Sequence, residues 1–213
     1  MRELAFTLAA VVGLVLIGVR PAVAQSFTFT PYAGVLVFDD GALDDAAAAD
    51  GFSISVDPSL IAGLRVGIAS ESALGFEAGY GYSPGGEVHA EDGENFDLDV
   101  TTHVYYAGLV YELAPASTTS FFLSGGVGGI TLSADEAVFD EGAEASSTDL
   151  MVNVGGGLLW QASERLTIRI DAMDHIGFCR AAEDGDDFSA CPLDDKALNH
   201  IELSGGITLQ LGG

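Results

Sequence analysis

Segment 60–68, Leu60-Ile61-Ala62-Gly63-Leu64-Arg65-Val66-Gly67-Ile68, sets Leu60, Ala62, Leu64, Val66 and Ile68 on one side and Gly63, Arg65 and Gly67 on the other. A period of two is the mark of a half-buried β-strand, because successive side chains leave opposite faces of the pleat. The pattern returns three times. Over 166–173, Leu166, Ile168, Ile170 and Ala172 oppose Thr167, Arg169 and Asp171. Near the C-terminus, Ile201, Leu203, Ile207, Leu209 and Leu211 oppose Glu202, Ser204, Gly206, Thr208 and Gln210. Over 150–161, Leu150, Val152, Val154, Leu158 and Trp160 oppose Asn153, Gly155, Gly157 and Gln161. Weaker alternation marks strands near 27–38, 73–82, 100–113 and 119–132, which brings the expected number to eight. In the first of these both faces are apolar, and its inward side stays open.

The connections between these strands fall into two classes that take turns along the chain. Ser70-Glu71-Ser72, Ala114-Pro115-Ala116-Ser117-Thr118 and Ala162-Ser163-Glu164 are short, whereas 39–58, 83–99, 133–149 and 174–199 are long. In an up-and-down meander every second connection lies at the same end, so one end carries tight turns and the other long loops. That asymmetry is the pattern of barrels that cross a bacterial outer membrane, short turns inside and long loops outside.

A water-soluble barrel has the same period with the opposite polarity, apolar inside. Composition separates the two. The polar rows are rich in glycine (Gly63, Gly67, Gly75, Gly79, Gly126, Gly128, Gly155, Gly157), and the sole lysine, Lys196, falls in a loop. A sheet face turned to water favours charged and hydroxylated side chains, whereas the narrow lumen of eight strands needs small residues to make room for large ones. Aromatics also bracket the apolar rows: Tyr80, Tyr82 and Tyr105 toward the long-loop end, Tyr111, Phe121 and Trp160 toward the short-turn end. Two such belts about 25 Å apart suit the two lipid–water interfaces. Closure is required as well, since an open edge in hydrocarbon leaves backbone groups unsatisfied. The expectation is an all-β, eight-stranded, antiparallel up-and-down transmembrane β-barrel over residues 25–213.

The N-terminus agrees. Arg2 precedes an uncharged run over 4–19, then Arg20-Pro21 and Ala22-Val23-Ala24, the order of a secretory signal cleaved after Ala24. The apolar run is shorter than the roughly 20 residues a spanning helix needs. Export favours a disulfide between Cys179 and Cys191, and two cysteines without a histidine pair make a poor zinc site. The chain has 7 Lys and Arg against 32 Asp and Glu, a formal net charge of −25. Such a charge repels phosphate backbones and excludes nucleic acid as a partner.

Taken over the whole exported part, the chain resembles the small outer-membrane β-barrels of the OmpA-transmembrane and OmpX type. The C-terminal run Ser204-Gly205-Gly206-Ile207-Thr208-Leu209-Gln210-Leu211 is similar to that family's last-strand assembly signal, with Gly206, Leu209 and Leu211 at its key positions. The chain departs from it by ending in Gly212-Gly213 where the family usually has an aromatic residue. The resemblance implies a monomer in the bacterial outer membrane, surrounded by membrane lipids and lipopolysaccharide and inserted by the barrel assembly machinery. It implies no cofactor. No peptidoglycan-binding domain follows the barrel pattern, so that role of larger relatives is not implied.

If the apolar rows face lipid, Arg65, Glu77, Glu112, Asn153, Gln161, Arg169, Asp171 and Glu202 face the lumen. A charge in a narrow lumen must be paired or hydrated. Arg65 and Arg169 are therefore expected among Glu77, Asp171 and Glu202, on neighbouring strands, as a structural plug. The sharper alternative is a narrow, cation-preferring pore. The long loops hold most of the acids, including Glu91-Asp92-Gly93-Glu94 and Glu183-Asp184-Gly185-Asp186-Asp187. These runs suit weak Ca²⁺ binding through carboxylate oxygens, yet neither has EF-hand spacing, and a solvated acidic surface explains them equally. For a lipid-modifying enzyme, the third alternative, the chain offers His89 in a loop, His103 and His175 near the outer rim, and His200 at the start of the last strand. His175 is in phase with Arg169 and Asp171 and points inward beside loop acids, as a solvated side chain. Ser83 and Ser133 are candidate nucleophiles that no motif ties to a histidine. The expectation is a non-enzymatic protein with a structural or interactive role and acidic extracellular loops.

Overall fold

The computed structural model describes residues 25–38, 53–70, 73–92, 94–115, 117–134, 145–178 and 197–212. The strands are β1 (Gln25–Phe38), β2 (Ser53–Val56), β3 (Ser59–Ser70), β4 (Leu74–Asp92), β5 (Glu94–Leu113), β6 (Thr119–Ala134), β7 (Ala145–Ser163), β8 (Leu166–Phe178) and β9 (Ala197–Leu211). Both β2 and β3 pair antiparallel with β4, and the register carries across the break at Asp57-Pro58. The two therefore form one stave, and the chain closes as an eight-stranded antiparallel barrel. Each other stave pairs with its chain neighbours. β1 meets β9 along the closing seam.

The polarity is inverted relative to a soluble protein. Leu60, Val66, Leu109, Leu123, Val127, Val154, Ile170, Leu203 and Ile207 are exposed on the outer face, while Arg65, Glu77, Asn153, Arg169, Asp171 and Glu202 are buried in the lumen. The face of β1 left open by its sequence is resolved: Thr30, Tyr32 and Leu36 point inward, and Phe27, Phe29 and Val35 outward. Tyr80, Tyr82, Tyr105, Tyr111, Phe121 and Trp160 are all exposed on the outer face. Tyr80 pairs with Tyr105 near the long-loop end, and Thr119 pairs with Trp160 beside a short turn.

The long connections need correction. Where 83–99 reads as a loop, β4 continues to Asp92 and β5 begins at Glu94, the two paired to their tips, so His89 lies in a strand. Strand also extends into the other long connections, to Ala134 and from Ala145, and to Phe178 and from Ala197. The signal was present: Asn95, Asp97 and Asp99 alternate with Phe96, Leu98 and Val100, and Asp92-Gly93 is a hairpin-type dipeptide. The density of acids masked it. The leader (1–24), Cys179, Cys191 and the 183–187 acidic run lie outside the described residues.

At the seam, partners run from Phe27–Leu211 to Phe29–Leu209 and resume at Tyr32–Gly206, skipping Thr30 and Pro31. Proline has no amide hydrogen to give the ladder. Across the gap, Thr30 Oγ1 lies 2.8 Å from Thr208 Oγ1, a side-chain bond in place of main-chain ones.

Candidate functional site

The lumen is the only part of the barrel where charge is enclosed among the described residues. Small residues create the space. A Cβ on Gly63 would lie 2.6 Å from the Tyr32 ring, one on Gly79 2.5 Å from the Tyr106 ring, and one on Gly157 2.8 Å from Phe122. Glycine on one strand thus seats the aromatic paired with it on the next. Those aromatics hold the arginines: the Arg65 guanidinium lies 3.8 Å from the centre of the Tyr32 ring and that of Arg169 4.4 Å from Phe122. Both are within the range of a cation–π contact.

The charged side chains form one connected layer. Arg65 reaches across the lumen from β3, donating to Asp171 Oδ2 (3.1 Å), Glu202 Oε1 (2.6 Å) and Ser204 Oγ (3.1 Å), and to the Tyr106 hydroxyl (2.9 Å) through Nε. Tyr106 passes its own hydrogen to Glu77 Oε1 at 3.2 Å. Arg169 on β8 grips both oxygens of Glu77 on β4, and its Nε donates to Asp171 Oδ1 at 2.8 Å. His175 Nε2 lies 3.3 Å from Glu202 Oε2. Every carboxylate oxygen of Glu77, Asp171 and Glu202 therefore faces a donor, the condition under which buried ion pairs are tolerated. Asp171 holds both arginines at once.

The five residues expected to meet do so, by a different route from strand adjacency. The neighbouring pair Arg65 and Glu77 is separated by 4.0 Å at best, whereas Arg65–Glu202 and Arg169–Glu77 reach across the lumen and Arg169–Asp171 joins two residues of β8. Of the other lumen candidates, Asn153 is buried. Glu112 is half-buried and accepts a bond from Ser120 Oγ at 2.5 Å. Gln161 is exposed at the short-turn mouth. His175 is not a solvated rim residue: it is fully buried against Glu202, opposite His200 on β9. Tyr32, Tyr106, Phe122, Met173 and Ser204 belong to the layer as well. Their inward phase, in step with Arg65, Glu77 and Glu202, was the signal that could have found them.

Two different neighbourhoods flank the layer. Toward the long-loop end the lumen is filled by buried Leu36, Ile61, Val104, Ile130, Met151 and Leu198, with buried Ser59, Ser83, Thr102 and His200 among them. Toward the short-turn end a vestibule of about 160 Å³ opens, lined by Thr28, Thr30, Ser120, Gln161, Thr208 and Gln210, with Glu77 and Arg169 at its floor. No group of three or more metal-binding side chains occurs among the described residues.

The sequence matches the family model described as outer membrane protein beta-barrel domain over residues 8–192. Among solved structures, OprG from Pseudomonas aeruginosa is 13% identical, with 90% of this chain and 98% of that chain covered at a TM-score of 0.59. Neisserial surface protein A is 11% identical, with 87% and 97% covered and a TM-score of 0.56. A major outer membrane protein from Thermus thermophilus is 12% identical, with 88% and 100% covered and a TM-score of 0.54. At such identities the likeness is one of fold. No curated protein matches the sequence significantly. Closed lipid-facing staves, a charged lumen and a family match over most of its length agree: the chain belongs to the outer membrane protein beta-barrel domain family and resides in the bacterial outer membrane.

Proposed function

We propose that this protein is a closed, non-enzymatic barrel whose work lies outside its lumen: it supports the envelope and presents acidic extracellular segments to ions, surfaces or partner molecules. The observation that carries this reading is the filled cross-section, an ion-paired layer capped by Leu36, Ile61, Val104, Ile130, Met151 and Leu198. In planar bilayers the refolded, heat-modifiable protein is expected to give no current steps above background. Stepwise conductance would overturn the reading.

One observation favours a narrow pore as the second reading. The wet vestibule ends on a layer with three carboxylates (Glu77, Asp171, Glu202) and two guanidiniums (Arg65, Arg169), an acidic excess that favours cations. Its signature would be a reversal potential selective for cations in a salt gradient.

Placement argues against a lipid-modifying enzyme. Ser83 is buried and donates to Ser59 Oγ at 2.6 Å, whereas His103 stands on the outer face, bonded to the Tyr80 hydroxyl at 2.8 Å. Ser133 bonds Ser146, and His175 is sealed in the lumen. Incubation with lipid A or phospholipid is expected to release no fatty acid. Lipids and lipopolysaccharide around the outer face, and the assembly machinery at the last strand, complete the proposed partners. Weak Ca²⁺ uptake at the acidic runs is part of the same proposal, and calorimetric titration at millimolar calcium tests it.

A further inference from the structure

One lumen acid is answered differently from the others. Glu77, Asp171 and Glu202 each face a guanidinium, but Glu112 on β5 has only the Ser120 hydroxyl, which donates to its Oε1 at 2.5 Å. Its Oε2 accepts no bond from the described residues and is not among the buried polar atoms. The side chain is half-buried and forms part of the vestibule wall, so this oxygen is open to whatever enters from the short-turn end. Arg165, the one described basic residue besides Arg65 and Arg169, is exposed in the β7–β8 turn and does not line the vestibule. The charge left without a counterpart in the vestibule is therefore negative.

The rest of the lining decides which cation fits. Val110 and Leu159, inward in phase with Glu112 and Gln161, give one side an apolar patch, while Thr28, Thr167 and Thr208 bring hydroxyls from β1, β8 and β9. A metal ion suits this wall poorly: a hard cation takes several oxygen ligands, and no group of three or more metal-binding side chains occurs among the described residues. An anion suits it no better, because Arg169 is already bonded to Glu77 and Asp171. One open carboxylate, hydroxyl acceptors and an apolar patch in about 160 Å³ match a primary ammonium on a short alkyl stem. The head brings three N–H donors, and the methylenes cover Val110 and Leu159 as the stem of a lysine would.

We propose that the periplasmic vestibule is a binding site for a small alkylammonium ion, with Glu112 as its counter-charge. The inference goes beyond envelope support, and it stands whether or not the lumen conducts, because Glu112 lies on the short-turn side of the ion-paired layer.

The test uses the full mature barrel refolded in detergent micelles, with heat modifiability confirming the fold. Calorimetric titration at fixed ionic strength compares n-propylammonium with uncharged n-propanol, and empty micelles serve as the blank. Saturable uptake of the ammonium is expected, and none of the alcohol. Glu112→Gln should weaken uptake on the order of tenfold, the scale of one charge-assisted hydrogen bond. Glu164→Gln, which removes an exposed acid from the nearby β7–β8 turn, should leave uptake unchanged. Thr28→Lys, which places a tethered ammonium in the vestibule, should abolish it, and decides the matter if Glu112→Gln does not fold. A wild type without saturable uptake would overturn the proposal, as would equal uptake of propanol or a Thr28→Lys barrel that binds as the wild type does. A loss with Glu164→Gln as large as that with Glu112→Gln would overturn it too, leaving only general attraction to a very acidic chain.

Discussion

Above the charged layer, Leu36, Ile61, Val104, Ile130, Met151 and Leu198 fill the lumen as a small dry core; below it, Thr28, Thr30, Ser120, Gln161, Thr208 and Gln210 line a wet vestibule. The same barrel, with the same period of two, thus solves its interior in two ways. On the extracellular side space is excluded by packing, which resists voids because dispersion and burial are lost together. On the periplasmic side space is left to water and hydroxyl groups, which cost little to disturb. The arginine layer stands at the boundary: Arg65 and Glu202 are fully buried, while Glu77 and Arg169 line the vestibule.

This contrast ranks four substitutions, each measured by urea unfolding in phospholipid vesicles with Trp160, the sole tryptophan, as the fluorescent probe. Arg65→Met should cost most, about 3–5 kcal/mol, because it strands Glu202 and Asp171 without their cross-barrel donor. Met151→Ala, in the dry half and fully buried, should cost about 2–4 kcal/mol through the cavity it leaves. Thr30→Val removes the hydroxyl bond to Thr208 at the top of the vestibule and should cost about 1 kcal/mol. Gln161→Ala, at the wet mouth, should fall within about 0.5 kcal/mol of the wild type. If Gln161→Ala costs as much as Met151→Ala, the vestibule is packed and the distinction between the halves fails.

How far the sequence reads to the structure depends on whether one face has a single character. Strands β3, β8 and β9 are legible because lipid takes one row and the lumen the other, so Leu64 and Arg65 cannot share a side. The first strand is not, because the dry upper lumen accepts Tyr32 and Leu36 as readily as lipid accepts Phe29 and Val35. The meeting of Arg65, Glu77, Arg169, Asp171 and Glu202 was foreseeable; which guanidinium takes which carboxylate was not. Sequence adjacency describes neighbours along the wall, whereas long side chains in a narrow tube find theirs across it, as Arg169 finds Glu77. In the hairpin around Glu91 and Asp97 the alternation of Phe96, Leu98 and Val100 with Asn95, Asp97 and Asp99 is present but hidden by the density of acids. Main-chain pairing to the tip settles the hairpin as strand.

The interruption at Pro31 has a consequence for how the cylinder comes apart. Everywhere else neighbouring staves are consecutive in the chain, but here the earliest and latest segments are joined only by lateral bonds, and rungs are missing in mid-stave. Thermal breathing should therefore part this line before any other. Amide deuterium uptake at Ile207, whose amide faces Pro31 across the seam, is then expected to outrun that at Ile168 and Ile170 on the uninterrupted flank. The wall of the cylinder is uniform, and its fastening is not.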